Sequence, residues 1–183
     1  NQQNREQEQA PYDARKPGAP ERQRQRLLAL LQMTYVGAPM VYYGTEVGMW
    51  GSGDPNNRKP MLWKDPQPYA VPGENAVMEE QLDFYRRAIA LRNAHPALRT
   101  GSFRTVVTDD AQDTWVFLRE GGGEQVLVAL NAGDKPATLD LPASLGSGWK
   151  PAFGEAPTNV PDSAFPRVEV PPVAGRVWVR KTP

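Results

Sequence analysis

The stretch that decides the fold is FRTVVTDDAQDTWVFLREGGGEQVLVALN, residues 103–131. It contains three runs rich in β-branched and aromatic residues, the composition typical of strands. The runs are residues 103–108, 114–119 and 125–131. Asp109-Asp110 and the three glycines at 121–123 separate them, and both are turn signals. The stretch therefore predicts three strands joined by tight turns.

The strand pattern continues to the end of the chain. Similar runs recur four more times, separated by turns rich in glycine and proline. These runs are residues 137–141, 148–153, 167–170 and 176–180. Residues 100–183 are therefore predicted to form one antiparallel β-sandwich domain.

Residues 1–99 follow a different pattern. Leucines at helical spacing predict a helix over about 21–34, and a second helix is predicted over about 76–94, where Pro96 ends it. The apolar run 38–43 between them is typical of a buried parallel strand. Because a parallel strand needs parallel neighbours, which this chain does not supply, we predict an incomplete α/β unit.

Composition excludes several classes of function. The 183 residues carry 21 Lys+Arg and 21 Asp+Glu, and this zero net charge disfavours nucleic acid and anionic membranes as partners. The absence of cysteine excludes disulfides, thiolate zinc sites and a cysteine nucleophile. Apolar stretches are too short to span a membrane. Residues 1–26 lack large aliphatic side chains, phenylalanine and tryptophan, and the part before the helix at about residue 21 is predicted to be an exposed tail or loop.

The long loop at 44–75 carries the densest cluster of polar and aromatic residues. Ligands of α/β folds bind where the carboxyl ends of parallel strands open into loops. The ring of Trp50 can support a sugar ring, while Asp54 and Arg58 can hydrogen-bond sugar hydroxyls. The alternative is structural: Trp50 pins the loop to the domain, and Arg58 pairs with Asp54 as an internal brace.

Other candidates have less specific patterns. Glu46 and Asp54 could be the carboxylate pair of a glycosidase, but their spacing does not determine the separation this mechanism needs, and a buried Glu46 braced by backbone amides is the alternative. His95 precedes Pro96 and is interpreted as a helix stop. We therefore assign no catalytic residue from the pattern.

Two charged clusters also have purely structural interpretations. Asp109, Asp110 and Asp113 could bind calcium, but such residues at a hairpin are typical of a solvated turn. Arg22, Arg24 and Arg26 are interpreted as a solvated helix face. We therefore predict no metal site and no cofactor.

Several ordered blocks resemble a known family. QMTYVGAPMVYYGTEVGMW at residues 32–50 is followed by Asp54-Pro55, by Arg58-Lys59-Pro60-Met61 and by Trp63. FYRR at 84–87 and HPALRTGSF at 95–103 follow in the same order. Together they resemble the end of the catalytic barrel in the α-amylase family of glycoside hydrolases, most closely its neopullulanase, cyclomaltodextrinase and maltogenic amylase group.

The resemblance implies a fold for each part of the chain. Residues 1–99 would be the last part of a (β/α)₈ TIM barrel, comprising its seventh helix, eighth strand, substrate-side loop and eighth helix. Residues 100–183 would be the antiparallel β-sandwich that follows the barrel. The partners implied are the missing N-terminal portion of the barrel and, as an open option, a second copy in a homodimer of the intact enzyme.

The resemblance also implies a function. The family cleaves α-glucosidic bonds with retention, using an Asp nucleophile, a Glu acid/base and a second Asp, all on strands expected before Asn1. Asp54 and Arg58 match residues that contact sugar, and Trp50 is a less specific wall of the same cleft. We expect part of a hydrolase of maltooligosaccharides, cyclodextrins or pullulan, acting on α-1,4 links with α-1,6 links as an option, and inactive alone.

The sequence leaves an alternative function and the cellular compartment open. The alternative function is a non-catalytic carbohydrate-binding or interface module, in which the β domain does the work. The sequence also does not choose between cytoplasm and periplasm for the intact protein.

Overall fold

The computed structural model describes residues 16–51, 54, 57–64, 77–154 and 167–182. The chain divides into two compact units, which are residues 1–22 with 41–83 and residues 23–40 with 84–183. Most of the predicted N-terminal tail lies outside the described residues. The division into domains at residue 100 stays a prediction.

Two helices lie where the leucine spacing predicts them, and a third was not predicted. Helix α1 is Ala19–Thr34, helix α2 is Glu79–Ala94 and the short helix α3 is Pro96–Thr100. Pro96 ends α2 and also begins α3, because a proline at the first helical position loses no intrahelical hydrogen bond. His95, predicted to stop a helix, is the residue that immediately precedes α3.

All seven predicted strands are present in the larger unit. They are β1 Ser102–Asp109, β2 Thr114–Gly121, β3 Glu124–Asn131, β4 Ala137–Asp140, β5 Lys150–Phe153, β6 Arg167–Val170 and β7 Ala174–Lys181. Five form a sheet in the order β1-β2-β3-β7-β5, and β4 pairs with β6 in a second sheet. Every pair is antiparallel, which confirms the prediction of an antiparallel β domain.

The main core of this unit contains residues from both sheets. Alternate residues of β2 and β3 contribute side chains to it, such as Val116 and Leu127, and Leu139 and Val170 contribute from the smaller sheet. Trp178 of β7 is also buried there. The alternation of β2 and β3 therefore places one set of apolar residues in this core.

The opposite face of the five-stranded sheet carries an aromatic cluster. Phe103 of β1 and Trp115 and Phe117 of β2 surround Tyr35, which follows α1. The Tyr35 and Phe103 ring centroids are 5.1 Å apart with the rings edge to face, a favourable arrangement for aromatic pairs. Both faces of β2 and β3 are consequently buried, which explains their nearly continuous apolar sequence.

Two arginines satisfy the carbonyl groups at the helix ends of this unit. Arg119 is only 1% exposed. Its guanidinium donates to the carbonyl oxygens of Thr34 at 2.8 Å, Leu98 at 3.1 Å, Gly101 at 3.0 Å and Ser102 at 3.0 Å. These groups lie at the ends of α1 and α3, where carbonyls have no partner within the helix.

Arg92 of α2 complements this arrangement. Its guanidinium donates to the carbonyl oxygens of Met33, Tyr35 and Gly37 at 2.9, 3.1 and 2.6 Å. Burial lowers the pKa of Arg92 and of Arg119, with a smaller coulombic effect from nearby arginines. The hydrogen bonds therefore have to offset the cost of desolvating two cations.

The prediction of a buried parallel strand at 38–43 is wrong for this structure. Residues 38–42 have no regular secondary structure, and Met40 is 75% exposed. Among the described residues no parallel strand is available to pair with this run, so its backbone groups cannot form a sheet. The part of the chain that the structure describes accordingly contains no closed barrel wall.

We expect Arg119→Met to destabilise the larger unit strongly. The change leaves four carbonyl oxygens without their donor, and we expect a loss of about 3 kcal/mol or more in the free energy of unfolding. Urea unfolding followed by tryptophan fluorescence measures it. Arg104→Met, which removes an exposed arginine from β1, is the control. Equal losses in the two variants would contradict the structural role of Arg119.

A second buried charge joins the sheet to α3. Glu124 is 1% exposed, and its carboxylate accepts a hydrogen bond from Ala97 N at 3.3 Å. His95 Nδ1 lies 3.2 Å from Oε2, and Lys181 Nζ lies 3.3 Å from it. Burial raises the pKa of Glu124, but the hydrogen bonds with His95, Ala97 and Lys181 outweigh this effect and lower the pKa below its ordinary value.

The contribution of Glu124 to stability should therefore depend on pH. A carboxyl whose pKa is lower in the folded state stabilises the fold above its unfolded pKa and loses this effect as pH falls through the folded pKa. We expect the wild type to exceed Glu124→Gln in unfolding free energy at neutral pH, and the difference to shrink below the ordinary value of 4.5. Urea unfolding across pH measures this. A difference that stays constant down to pH ~2 would contradict it.

Candidate functional site

The candidate site is the loop that follows Tyr43, in the smaller unit. A short 3-10 turn, Thr45–Val47, begins it, and Gly44 precedes this turn with φ of 85°. Met49 N donates to Gly44 O at 2.9 Å, which closes the turn. A Cβ at Gly44 would collide with the Met49 side chain, so this position requires glycine for both its φ and its lack of a side chain.

Residues of α1 and of the segment just before α2 donate hydrogen bonds to this turn. Arg22, near the start of α1, is buried, and its guanidinium donates to Gly48 O at 2.5 Å. The prediction that Arg22 belongs to a solvated helix face is therefore wrong, since it holds the end of the 3-10 turn. Met78 N donates to Val47 O at 3.0 Å, and Lys64 pairs with Glu79 at 2.7 Å.

Two adjacent tyrosines anchor the far side of the loop. The ring centroids of Tyr42 and Tyr43 are 5.0 Å apart. The Tyr42 hydroxyl donates to Asn57 O at 3.3 Å, and the Tyr43 hydroxyl donates to Lys59 O at 3.0 Å. These bonds cross 15 and 16 residues of chain, and the sequence pattern did not identify them.

Trp50 lies in a small open cleft. The cleft has a volume of about 190 Å³, and it is lined by Tyr42, Tyr43, Thr45, Met49, Trp50, Gly51, Asn57 and Lys59. Lys59 Nζ lies 4.1 Å from the centroid of the Trp50 ring, within the range of a cation–π interaction. One face of the tryptophan is thus covered by an ammonium group.

Asp54 and Arg58 contact each other. Arg58 Nη2 lies 2.9 Å from Asp54 Oδ2, and the two side chains are 68% and 50% exposed respectively. This ion pair is the internal brace of the structural alternative. Neither residue lines the cleft that contains Trp50. Binding of sugar by Asp54, Arg58 and Trp50 stays a prediction.

The remaining candidates have distinct surroundings. Glu46 has a buried Oε2 with no hydrogen-bond partner in the part of the chain that the structure describes, so amide bracing is not found for this oxygen. Asp109 accepts bonds from Gln112 Nε2, Gln112 N and Ala111 N, and the Gln112 side-chain bond is the main cause of its lowered pKa. Asp109 thus closes a turn.

Among the described residues, no group of three or more His, Asp or Glu side chains could hold a metal ion. Within the same residues, every helix is too short or too polar to cross a membrane.

Part of the larger unit is similar to a known family of domains. Residues 103–179 match the family model described as "Maltogenic Amylase, C-terminal domain". The matched stretch begins in β1 and ends in β7.

The relatives that this chain matches are longer proteins. It is 36% identical to Neopullulanase 2 of Thermoactinomyces vulgaris over 126 residues, and 34% identical to a cyclomaltodextrinase of Geobacillus thermopakistaniensis over 124 residues. Each match covers 68% of this chain and 20% of the relative. The chain therefore spans about a fifth of the length of these relatives.

Solved structures of related enzymes are also similar to this chain. A debranching enzyme from Nostoc punctiforme has a TM-score of 0.67 and 30% identity, covering 84% of this chain and 30% of that one. A cyclic α-maltosyl-(1→6)-maltose hydrolase from Arthrobacter globiformis has a TM-score of 0.62 and 29% identity, covering 86% and 29%. The resemblance to the neopullulanase and cyclomaltodextrinase group of the α-amylase family is confirmed by these matches.

The turn that opens the candidate site provides a local prediction. We expect Gly44→Ala to make the Met49 amide exchange its hydrogen about tenfold faster, equivalent to about 1.4 kcal/mol of local stability. Gly123→Ala is the matched control, because Gly123 also has a positive φ of 74° but has open space around the added Cβ. Its neighbour, the Thr182 amide bonded to Gly123 O, should change less. Equal effects would refute the collision with Met49.

Proposed function

We propose that this chain is part of an α-glucan hydrolase of the α-amylase family. In this proposal residues 1–99 supply the end of a (β/α)₈ barrel and residues 100–183 follow it as the β-sandwich. The observation that carries the proposal is the extent of the similarity. The match to Neopullulanase 2 runs over 126 residues, more than the stretch 103–179, so it extends beyond the β domain.

The relatives suggest the reaction and the substrate. Cyclomaltodextrinases and neopullulanases are named for cyclodextrins and pullulan, so we propose hydrolysis of α-1,4 links, and of α-1,6 links as the further option, in maltooligosaccharides, cyclodextrins or pullulan. The family mechanism needs two carboxylates placed on either side of the scissile bond. We assign neither of them to this chain, whose role is to bind substrate and support the barrel.

The contacts around Asp54 and Arg58 suit reversible sugar binding. An exposed ion pair contributes about 0–1 kcal/mol, so hydroxyl groups of a glucose unit can replace it at little cost. A carboxylate accepts from hydroxyl groups and a guanidinium donates to them, and such charge-assisted bonds are stronger than neutral ones. Without sugar, the two side chains satisfy each other.

Trp50 suits the same ligand in a different way. The interaction between Lys59 and the indole ring is worth about 0.5–1 kcal/mol at an exposed site. A glucose ring can therefore displace the ammonium group from the indole, or can stack on the opposite face. In either case Lys59 is well placed to donate to a sugar hydroxyl.

A titration tests the binding role. We expect maltoheptaose to bind the 183-residue chain, as measured by calorimetry, and Asp54→Ala/Arg58→Ala to weaken binding at least about tenfold, the loss of about 1.4 kcal/mol. The matched control is Asp140→Ala/Arg167→Ala, which removes an equally exposed ion pair from β4 and β6. This control should bind like the wild type.

The other outcomes separate the alternatives. Binding that survives the loss of Asp54 and Arg58 would favour the non-catalytic module, with the β domain as the binding surface. Absence of binding by the wild type would overturn the sugar-binding role. Release of maltose by the 183-residue chain would overturn the proposal that its catalytic carboxylates lie elsewhere.

A further inference from the structure

The two tyrosine hydroxyls of the cleft bind the main chain on both sides of Arg58. Tyr42 donates to the carbonyl oxygen of Asn57, and Tyr43 donates to that of Lys59. These two carbonyls belong to the residues immediately before and after Arg58. The main chain that carries this guanidinium is therefore held at two points, 3.3 and 3.0 Å from the hydroxyl oxygens.

Burial does not explain why two aromatic residues stand here. Tyr42 and Tyr43 are 50% and 42% exposed, so their rings are not part of a core. The rings line the same cleft as Trp50 and Lys59. What distinguishes tyrosine from phenylalanine at these positions is the hydroxyl group, and each hydroxyl has a main-chain acceptor.

The side chain of Arg58, which lies between the two bonded residues, is itself exposed. Arg58 is 68% exposed and pairs with Asp54, four residues earlier in the chain. A long exposed side chain has many rotamers, and a mobile main chain beneath it would multiply the number of positions of the guanidinium. Hydrogen bonds to the carbonyls on both sides of Arg58 restrict the conformations of its main chain. They leave its side chain exposed, where it can contact a ligand.

We propose that Tyr42 and Tyr43 are positioning residues, which hold the loop so that Arg58 and Asp54 meet the sugar in one geometry. This inference rests on the proposed function, because it assumes that Arg58 and Asp54 bind a maltooligosaccharide. The tyrosines act through the main chain of Arg58. Their hydroxyls need not touch the sugar.

A double-mutant cycle tests this on the full chain. We expect Tyr42→Phe/Tyr43→Phe to raise the Kd of maltoheptaose about fivefold, equivalent to about 1 kcal/mol, with an unchanged Tm. In the Arg58→Ala background the same two changes should have no further effect, because their action passes through Arg58. Tyr35→Phe removes the hydroxyl of another exposed tyrosine, in the larger unit, and should bind like the wild type.

A second measurement needs no sugar. Hydrogen exchange of the amides of residues 57–59 should become faster in Tyr42→Phe/Tyr43→Phe and stay unchanged in Tyr35→Phe. Unchanged exchange in the double variant would overturn the clamp itself. Equal loss of affinity with and without Arg58, or no loss in either background, would overturn action through Arg58.

The two proposals fail in different ways. A wild-type chain that binds no maltoheptaose overturns the proposed function and with it the sugar-positioning role, while hydrogen exchange still reports on the clamp. A wild-type chain that binds, with phenylalanine variants that bind equally well, overturns only the positioning role.

Discussion

The guanidinium of Arg119 donates hydrogen bonds to the ends of two helices and to the start of a strand from a position almost without solvent exposure. Removing a cation from water is costly unless its donors find acceptors. Here the acceptors are carbonyls that α1 and α3 cannot use themselves. The helix ends thus supply acceptors to the guanidinium, and the guanidinium supplies donors to the helix ends.

The rest of the larger unit is organised around this contact. Arg92, which lies on α2, donates hydrogen bonds to carbonyl oxygens at and just after the end of α1. The aromatic rings around Tyr35 lie on the same face of the sheet as Arg119. The other face forms the core with β4 and β6. Because the sheet is covered on both faces, β2 and β3 contain continuous apolar runs at 115–118 and 126–130.

The candidate site is built on a different principle. The loop after Tyr43 depends on a glycine turn, on main-chain hydrogen bonds and on exposed polar contacts. Its contacts between Lys59 and Trp50 and between Arg58 and Asp54 are individually weak. Such contacts are easily exchanged for those of a ligand, and binding loops commonly occupy the less stable parts of a protein. In the proposed function, these exchangeable side chains contact a polyhydroxylated ligand.

The sequence by itself determined α1, α2 and the seven strands, because periodicity and turn residues are local properties of the chain. It also identified the residues of the candidate loop. It did not predict α3, the burial of Arg22 or the non-strand conformation of 38–43, and it could not find the bonds from Arg119 to Thr34, 85 residues apart, or from Tyr43 to Lys59. The tertiary structure decided these features, because a backbone group or a buried cation takes its conformation from whichever partner the fold brings within hydrogen-bond distance.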